Sequence, residues 1–237
     1  MNILAIETTG DLCSIAVRDS SGTLVERVFR HRMHLSERLI GDVDSALKDA
    51  GLELASVDGF AVGIGPGSFT GVRLGVMTVK TWADILGKPV VGVNALEALG
   101  REAWTWPGIV APVIRARPGA VYASVFGDTA DELAPYPEPA LLTVPELVER
   151  IVDTRQLLVL LLGDGLKNTG ADLITRLNEH GIAPWFGPTD APRASTLAAI
   201  AERRIAAGIT DDPLALVPLY ISPPPIDPRA EVRPAHT

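Results

Sequence analysis

Apolar and polar positions alternate in short runs over the first thirty residues. Residues 2–6, 12–18 and 23–29 read as strands, and the turn-rich pieces Thr8-Thr9-Gly10-Asp11 and Asp19-Ser20-Ser21-Gly22 between them have the spacing of an antiparallel meander. At Leu35 the period changes. Leu39, Ile40, Val43, Ala46, Leu47 and Ala50 recur at intervals of three and four, which predicts an amphipathic helix stopped by Gly51. A strand at 59–64, a glycine-rich stretch at 63–71 and a second helix reaching Leu86 follow, and Lys88-Pro89 ends that helix. The strand 90–93 leads to Asn94, a good N-cap, with Glu97 at capping-box spacing for a short third helix.

Three strands, helix, strand, helix, strand, helix is the order of an α/β unit, a mixed sheet flanked by helices. The second half repeats the theme less clearly. Strands are expected at 109–114, 121–126 and 157–162, and helices at 145–151, 167–179 and 196–207, with Thr143 and Glu146 at capping-box spacing before the first. The expected organisation is two lobes, 1–104 and 105–222, divided near Trp104-Thr105-Trp106-Pro107-Gly108. Residues 223–237 contain Pro223, Pro224, Pro225, Pro228 and Pro234, a composition for extended polyproline or disorder and no domain.

Composition narrows the class. Among 237 residues 47% are hydrophobic and 21% charged, as in a packed globular protein, and no apolar run reaches bilayer length. The N-terminus runs directly into a strand without a basic flank or cleavage site, so a cytoplasmic protein is expected. Cys13, the single cysteine, lies in an apolar strand and reads as a small buried hydrophobe. A formal charge of −8 argues against tight nucleic-acid binding by this chain alone, because such binding relies on cations displacing counterions from phosphates.

The chemistry-bearing motifs are few. Gly65-Pro66-Gly67-Ser68-Phe69-Thr70-Gly71 lacks the Lys-Ser/Thr end of a P-loop, and Ser68 occupies the third glycine position of the dinucleotide pattern. Two readings remain: a tight turn permitting close helix packing, or amides of Ser68 to Gly71 free to meet an anion or a partner carbonyl. Arg73, just inside an apolar helix, is expected in a salt bridge, within the chain or across an interface. His31 and His34 are three apart without a carboxylate at a recognisable ligand position, so exposed loop histidines are expected and no metal site. No Ser-His-Asp order or zinc pattern points to a peptidase, and no catalytic residue is assigned.

Gly65-Pro66-Gly67-Ser68-Phe69-Thr70-Gly71-Val72-Arg73 resembles the glycine-rich signature of the TsaB family, also called YeaZ. Ile6-Glu7-Thr8-Thr9 is similar to that family's first-strand Asp-Thr motif, and Pro89-Val90-Val91-Gly92-Val93 with Leu96 to its next strand and helix. Ala116-Arg117 with Gly119, Val121 and Tyr122 resembles its second-lobe hairpin, and Pro218-Leu219-Tyr220 its closing Pro-x-Tyr. The resemblance implies a two-lobed actin-like, RNase H-like fold and a non-catalytic subunit. Its implied partners are the catalytic paralogue TsaD, which transfers a threonylcarbamoyl group to adenosine in tRNA, and the ATPase TsaE. A further enzyme, TsaC, makes the donor. No cofactor is expected in this chain: ATP and metal come through the partner subunits, and tRNA is met only within the complex.

In an actin-like fold two acidic hairpins hold metal and phosphates. Glu7, Thr8 and Thr9 lie at the first, and Gly163-Asp164-Gly165 resembles an adenosine-cupping turn or is an ordinary strand-to-helix turn. Arg115-Ala116-Arg117 stands at the second, with Arg115 where the family pattern has an acid, which makes magnesium positioning doubtful. The helix at 70–86 is apolar around most of its circumference, so it is either enclosed by its own lobe or shared with a neighbour. The second reading puts Leu35, Leu39, Val43 and Leu47 with Val72, Val76, Val79 and Ala83 at a four-helix interface to TsaD, or to a second copy when the partner is missing. The alternatives are an independent ATP-binding enzyme of the same fold and a peptidase.

Overall fold

The computed structural model describes residues 1–30, 34–103, 105–127 and 137–221. Strands β1 (Ile3–Glu7), β2 (Leu12–Arg18) and β3 (Leu24–Arg30) form the expected antiparallel meander, with Ile3 opposite Arg18 and Val17 opposite Val25. After helix α1 (Leu35–Asp49), β4 (Gly59–Gly65) joins β1 in parallel. Helix α2 (Phe69–Leu86) then returns the chain to β5 (Val90–Asn94), parallel to β4. The sheet order is β3-β2-β1-β4-β5.

Helix α3 (Ala95–Arg101) leads to a second sheet built on the same plan. A meander of β6 (Ile109–Arg115), β7 (Val121–Ala123) and β8 (Ala140–Leu142) is followed by α4 (Val144–Asp153) and β9 (Leu158–Leu162), parallel to β6. Helix α5 (Leu166–Glu179) then precedes β10 (Ala183–Phe186), parallel to β9. Strands β8 and β10 carry no alternation that a sequence reading catches: β8 has three residues, and β10 is an exposed edge containing Pro184. The expected strand 121–126 stops at Ala123, and Phe126 pairs with Val110 in an isolated bridge outside the strand.

Each face of the first sheet has its own cover. Leu4, Ile6, Phe60 and Val62 point to α1 and α2, while Ile3, Ala5, Ala16 and Ala61 point to the last helix, α6 (Ala194–Ala206). Small residues on both sides, Ala198 and Ala201 against Ala5 and Ala61, allow that helix to lie close to the strands. Residues 207–221 continue over the same lobe. Asp211 bonds Val90 O through its amide and Gly92 N through Oδ2, covering the β5 edge, and Lys80 Nζ reaches the carbonyls of Leu214 and Leu216. The assignment of 105–222 to the second lobe is therefore corrected: residues 194–221 pack on the first, because α6 completes its core. The tail 223–237 lies outside the described residues.

Thr143 and Glu146 form a reciprocal capping box at α4, but at α3 only Asn94 caps, accepting from Leu96 N at 2.8 Å. Glu97 turns inward instead, 2% exposed, and pairs with Arg204 of α6 at 2.7 Å and with Arg101 at 3.3 Å. A buried carboxylate needs such partners more than the helix needs a second cap.

Candidate functional site

The end of β1 and the start of α2 meet at the base of the cleft between the lobes. Glu7, Thr8 and Thr9 are almost wholly buried there. Thr8 Oγ1 donates to Gly71 O at 2.8 Å, and Ser68 N donates to Thr9 O at 2.6 Å, so the glycine-rich loop is stitched to the Thr8-Thr9 turn. A Cβ added at Gly67 would lie 2.1 Å from Thr9 O, and one at Gly71 would lie 2.1 Å from Thr8 O. Backbone meeting backbone at this distance requires glycine. Of the amides from Ser68 to Gly71, the first serves Thr9 and the last takes Ser68 Oγ at 3.3 Å. The tight-turn reading of the loop is the one these contacts favour.

Glu7 ends in a closed space. Its Oε1 accepts from Thr9 N, whereas Oε2 has no hydrogen-bond partner among the described residues. Burial pushes its carboxyl up to about 7, against the lowering effect of the Thr9 hydrogen bonds. Burial likewise pushes the Cys13 thiol to about 12, with the charges of Glu7 and Asp11 adding to it and Arg38 opposing, as suits an inert core cysteine.

Above this floor the cleft, of about 320 Å³, runs between Thr9–Leu12 with Ser68 on one side and Arg115, Asp164 and Lys167 on the other. Arg115 crosses it. Its Nη2 lies 3.1 Å from Asp11 Oδ2 of the first lobe, and its amide donates to Asp164 Oδ1 at 2.9 Å. Lys167 pairs with Asp190 at 2.8 Å. The Gly163-Asp164-Gly165 turn is bound into the lobe, since Gly163 N donates to Thr189 O and Gly165 N to Val113 O, each at 3.0 Å. Asp11 escaped the sequence reading, because nothing local marks one turn aspartate as the partner of an arginine 104 positions away.

For Arg73 the expectation of a salt bridge within the chain is the part corrected. Among the described residues this side chain meets no carboxylate: Nε donates to Tyr220 OH at 2.9 Å, and the guanidinium lies 3.9 Å from the Phe69 ring centroid. Phe69 and Tyr220 stand 5.2 Å apart, so Arg73 fastens the C-terminal segment to the start of α2, beside Thr70. His34 is exposed and pairs with Glu37 at 3.2 Å; His31 lies outside the described residues. Among the described residues no group of three His, Cys, Asp or Glu is placed to hold a metal, and no helix is long and apolar enough to cross a membrane.

The eight apolar positions expected at an interface require a further correction. Leu35, Leu39, Val43, Leu47, Val72, Val76, Val79 and Ala83 are 0–5% exposed and belong to the core of their own lobe. The sheet face absorbs both apolar stripes, and Leu74, Trp82 and Leu86 pack against the same core. What the two helices offer outward is Ile40, Met77 and Ile85, 54%, 57% and 74% exposed.

Comparison with known proteins agrees with this architecture. Residues 30–152, just over half of the chain, match the family model described as TsaD, tRNA N6-adenosine threonylcarbamoyltransferase. Proteins named tRNA threonylcarbamoyladenosine biosynthesis protein TsaB from Bacillus subtilis and Escherichia coli are 33% and 31% identical over 53% and 62% of this chain. The chain spans only 55% and 64% of the length of those relatives. An uncharacterised protein of Mycobacterium tuberculosis is 30% identical over 96% of this chain and 95% of its own length. The structure of YeaZ from Pseudomonas aeruginosa superposes with a TM-score of 0.74 at 26% identity, covering 92% of this chain and 100% of that one. The ethanolamine utilization protein EutJ of Carboxydothermus hydrogenoformans shares the fold alone, with a TM-score of 0.51 at 11% identity over 84% of this chain and 90% of its own. Two five-stranded mixed sheets of one plan, a glycine-rich loop stitched to the first strand, and these matches show an actin-like fold, and the chain belongs to the TsaB (YeaZ) family.

Proposed function

We propose that this chain is a non-catalytic subunit in the formation of the threonylcarbamoyl group on tRNA adenosine, working in the cytoplasm as the partner of a TsaD-type catalytic paralogue. The observation that carries this reading is the cleft. An actin-like ATPase needs carboxylates free to position a metal beside the phosphates. Here Asp11 and Asp164 both face Arg115, so the cleft holds its own counter-charge. ATP and metal enter through the partner and a TsaE-type ATPase, and tRNA is held by the assembly, in keeping with the charge of −8. Ile40, Met77 and Ile85 form the outward side of α1 and α2 on which the paralogue, or a second copy in its absence, docks.

The test is threonylcarbamoyl transfer to tRNA by purified components. The expected result is no modification by this chain alone, none by the paralogue alone, and modification by the two with the ATPase and donor present. Transfer or ATP turnover by the isolated chain would overturn the proposal.

A further inference from the structure

Away from the cleft, the end of α3 and the outer side of α6 enclose a groove of about 340 Å³. That is the lower end of the range of roughly 300–1,000 Å³ for small-molecule sites. Arg101 and Glu102 stand on the α3 side and Arg203 on the α6 side. The hydroxyl residues Ser195 and Thr196 and the apolar Ala199 and Ile200 complete the wall.

The positive charge here exceeds what the chain itself answers. Arg204 Nη2 lies 2.7 Å and Arg101 Nε 3.3 Å from the same oxygen, Glu97 Oε1, and the two arginine side chains are only 17% and 12% exposed. One carboxylate shared by two largely buried guanidiniums leaves one of them short of a counter-charge. The longer contact marks Arg101 as that one, and its terminal nitrogens have no protein partner among the described residues.

Glu102, the next residue and the C-cap of α3, brings the opposite charge to the same groove. Its carboxyl accepts from the Thr196 hydroxyl at 3.4 Å, from the Thr189 side chain and from the Arg193 amide. These donors orient a carboxylate without neutralising it, and among the described residues Glu102 forms no ion pair. Arg101 and Glu102 do not pair with each other: the first turns back along α3 to Glu97, the second across to α6.

We propose that this groove binds a free α-amino acid, its carboxylate on Arg101, its ammonium on Glu102 and its side chain over Ala199 and Ile200. An anion alone would answer Arg101 and be repelled by Glu102, and an amine alone would do the reverse. An α-amino acid carries both charges on neighbouring carbons, as consecutive residues of opposite sign require, whereas a peptide end carries only one of them. Helix α6 covers the face of the first sheet opposite α1 and α2, so this binding neither needs nor tests the role in tRNA modification.

The test is an amide NMR titration of the full chain with L-alanine and with L-leucine, at pH 8 because burial raises the Glu102 carboxyl to about 7. Saturable shifts centred on residues 99–103 and 194–204 are expected, with propionate and ethylamine binding at least about tenfold more weakly. Arg101→Gln and Glu102→Gln should each weaken amino-acid binding by about tenfold or more. Ala199→Leu, half-exposed on α6, keeps both charges and narrows the groove, and should weaken L-leucine more than L-alanine. No saturable shift with either amino acid, shifts centred elsewhere, or equal binding of propionate or ethylamine overturns the proposal. If Arg101→Gln fails to fold because Glu97 loses a partner, the other two variants decide, and unchanged affinity in either overturns it.

Discussion

Arg115 Nη2 lies 3.1 Å from Asp11 Oδ2, and this contact joins the hairpin of the second lobe to the first turn of the first lobe across the open cleft. Both side chains are more than half exposed. An ion pair so placed sets the local charge pattern but stabilises little, because water screens it. We expect Arg115→Ala, Asp11→Asn and the double variant to unfold in urea within about 1 kcal/mol of the parent, with a coupling energy below about 1 kcal/mol. A coupling of several kcal/mol would mean that the pair is a structural tie and not a counter-charge.

Glu7 makes stability depend on pH. Its folded value of about 7 exceeds the ordinary 4.5, so its stabilising contribution is present below 4.5 and lost as pH rises through 7. Glu7→Gln removes that dependence and should be the more stable protein at pH 8, by up to about 3 kcal/mol. Glu102 titrates in the same direction, so the comparison is made in both the parent and a Glu102→Gln background. Equal pH slopes with and without Glu7, measured by denaturation from pH 5 to 8, would contradict the assignment.

Two glycine-to-alanine changes should have opposite signs. At Gly67 the new methyl meets Thr9 O at 2.1 Å, backbone against backbone, and a loss of roughly 2–3 kcal/mol is expected. At Gly41, exposed in the middle of α1 with nothing within 4 Å, the same change should stabilise by about 0.5–1 kcal/mol. Thermal denaturation of both variants checks the pair; a neutral Gly67→Ala would show that the loop is not held against the Thr8-Thr9 turn.

The clasp of Tyr220 on Arg73 and Phe69 should govern the C-terminal segment. Tyr220→Ala removes the ring contact and the hydrogen bond, and amides such as Asp211 and Leu219, which bond Val90 O and Ile64 O, should exchange faster. Tyr220→Phe, which loses only the hydroxyl, should sit between it and the parent. Unchanged exchange in Tyr220→Ala would show that Asp211 and Lys80 hold the segment unaided.

Partner docking separates into two kinds of variant. Val76→Asp buries a charge in the core at a fully enclosed position and should unfold the chain. Met77→Asp, one residue along the same helix but 57% exposed, should fold normally and lose binding to the catalytic paralogue, as should Ile40→Asp. Normal binding by folded Met77→Asp and Ile40→Asp would remove α1 and α2 from the proposed interface.

The amino-acid sequence by itself determined the elements whose signal is local. The first meander, the helices at α1 and α2 and the capping box at Thr143 follow from periodicity and turn chemistry, because neighbouring residues supply the hydrogen bonds. Only the tertiary structure decided which lobe owns α6, since a helix with small apolar residues fits either sheet and distant alanines chose between them. It also decided that the eight apolar positions of α1 and α2 face inward, because periodicity marks an apolar stripe without saying what covers it. The cleft belongs to the same class. Asp11, Arg115 and Asp164 are unremarkable in a chain of this charge, and they become a site only because two sheets of one plan bring the ends of β1, β6 and β9 face to face.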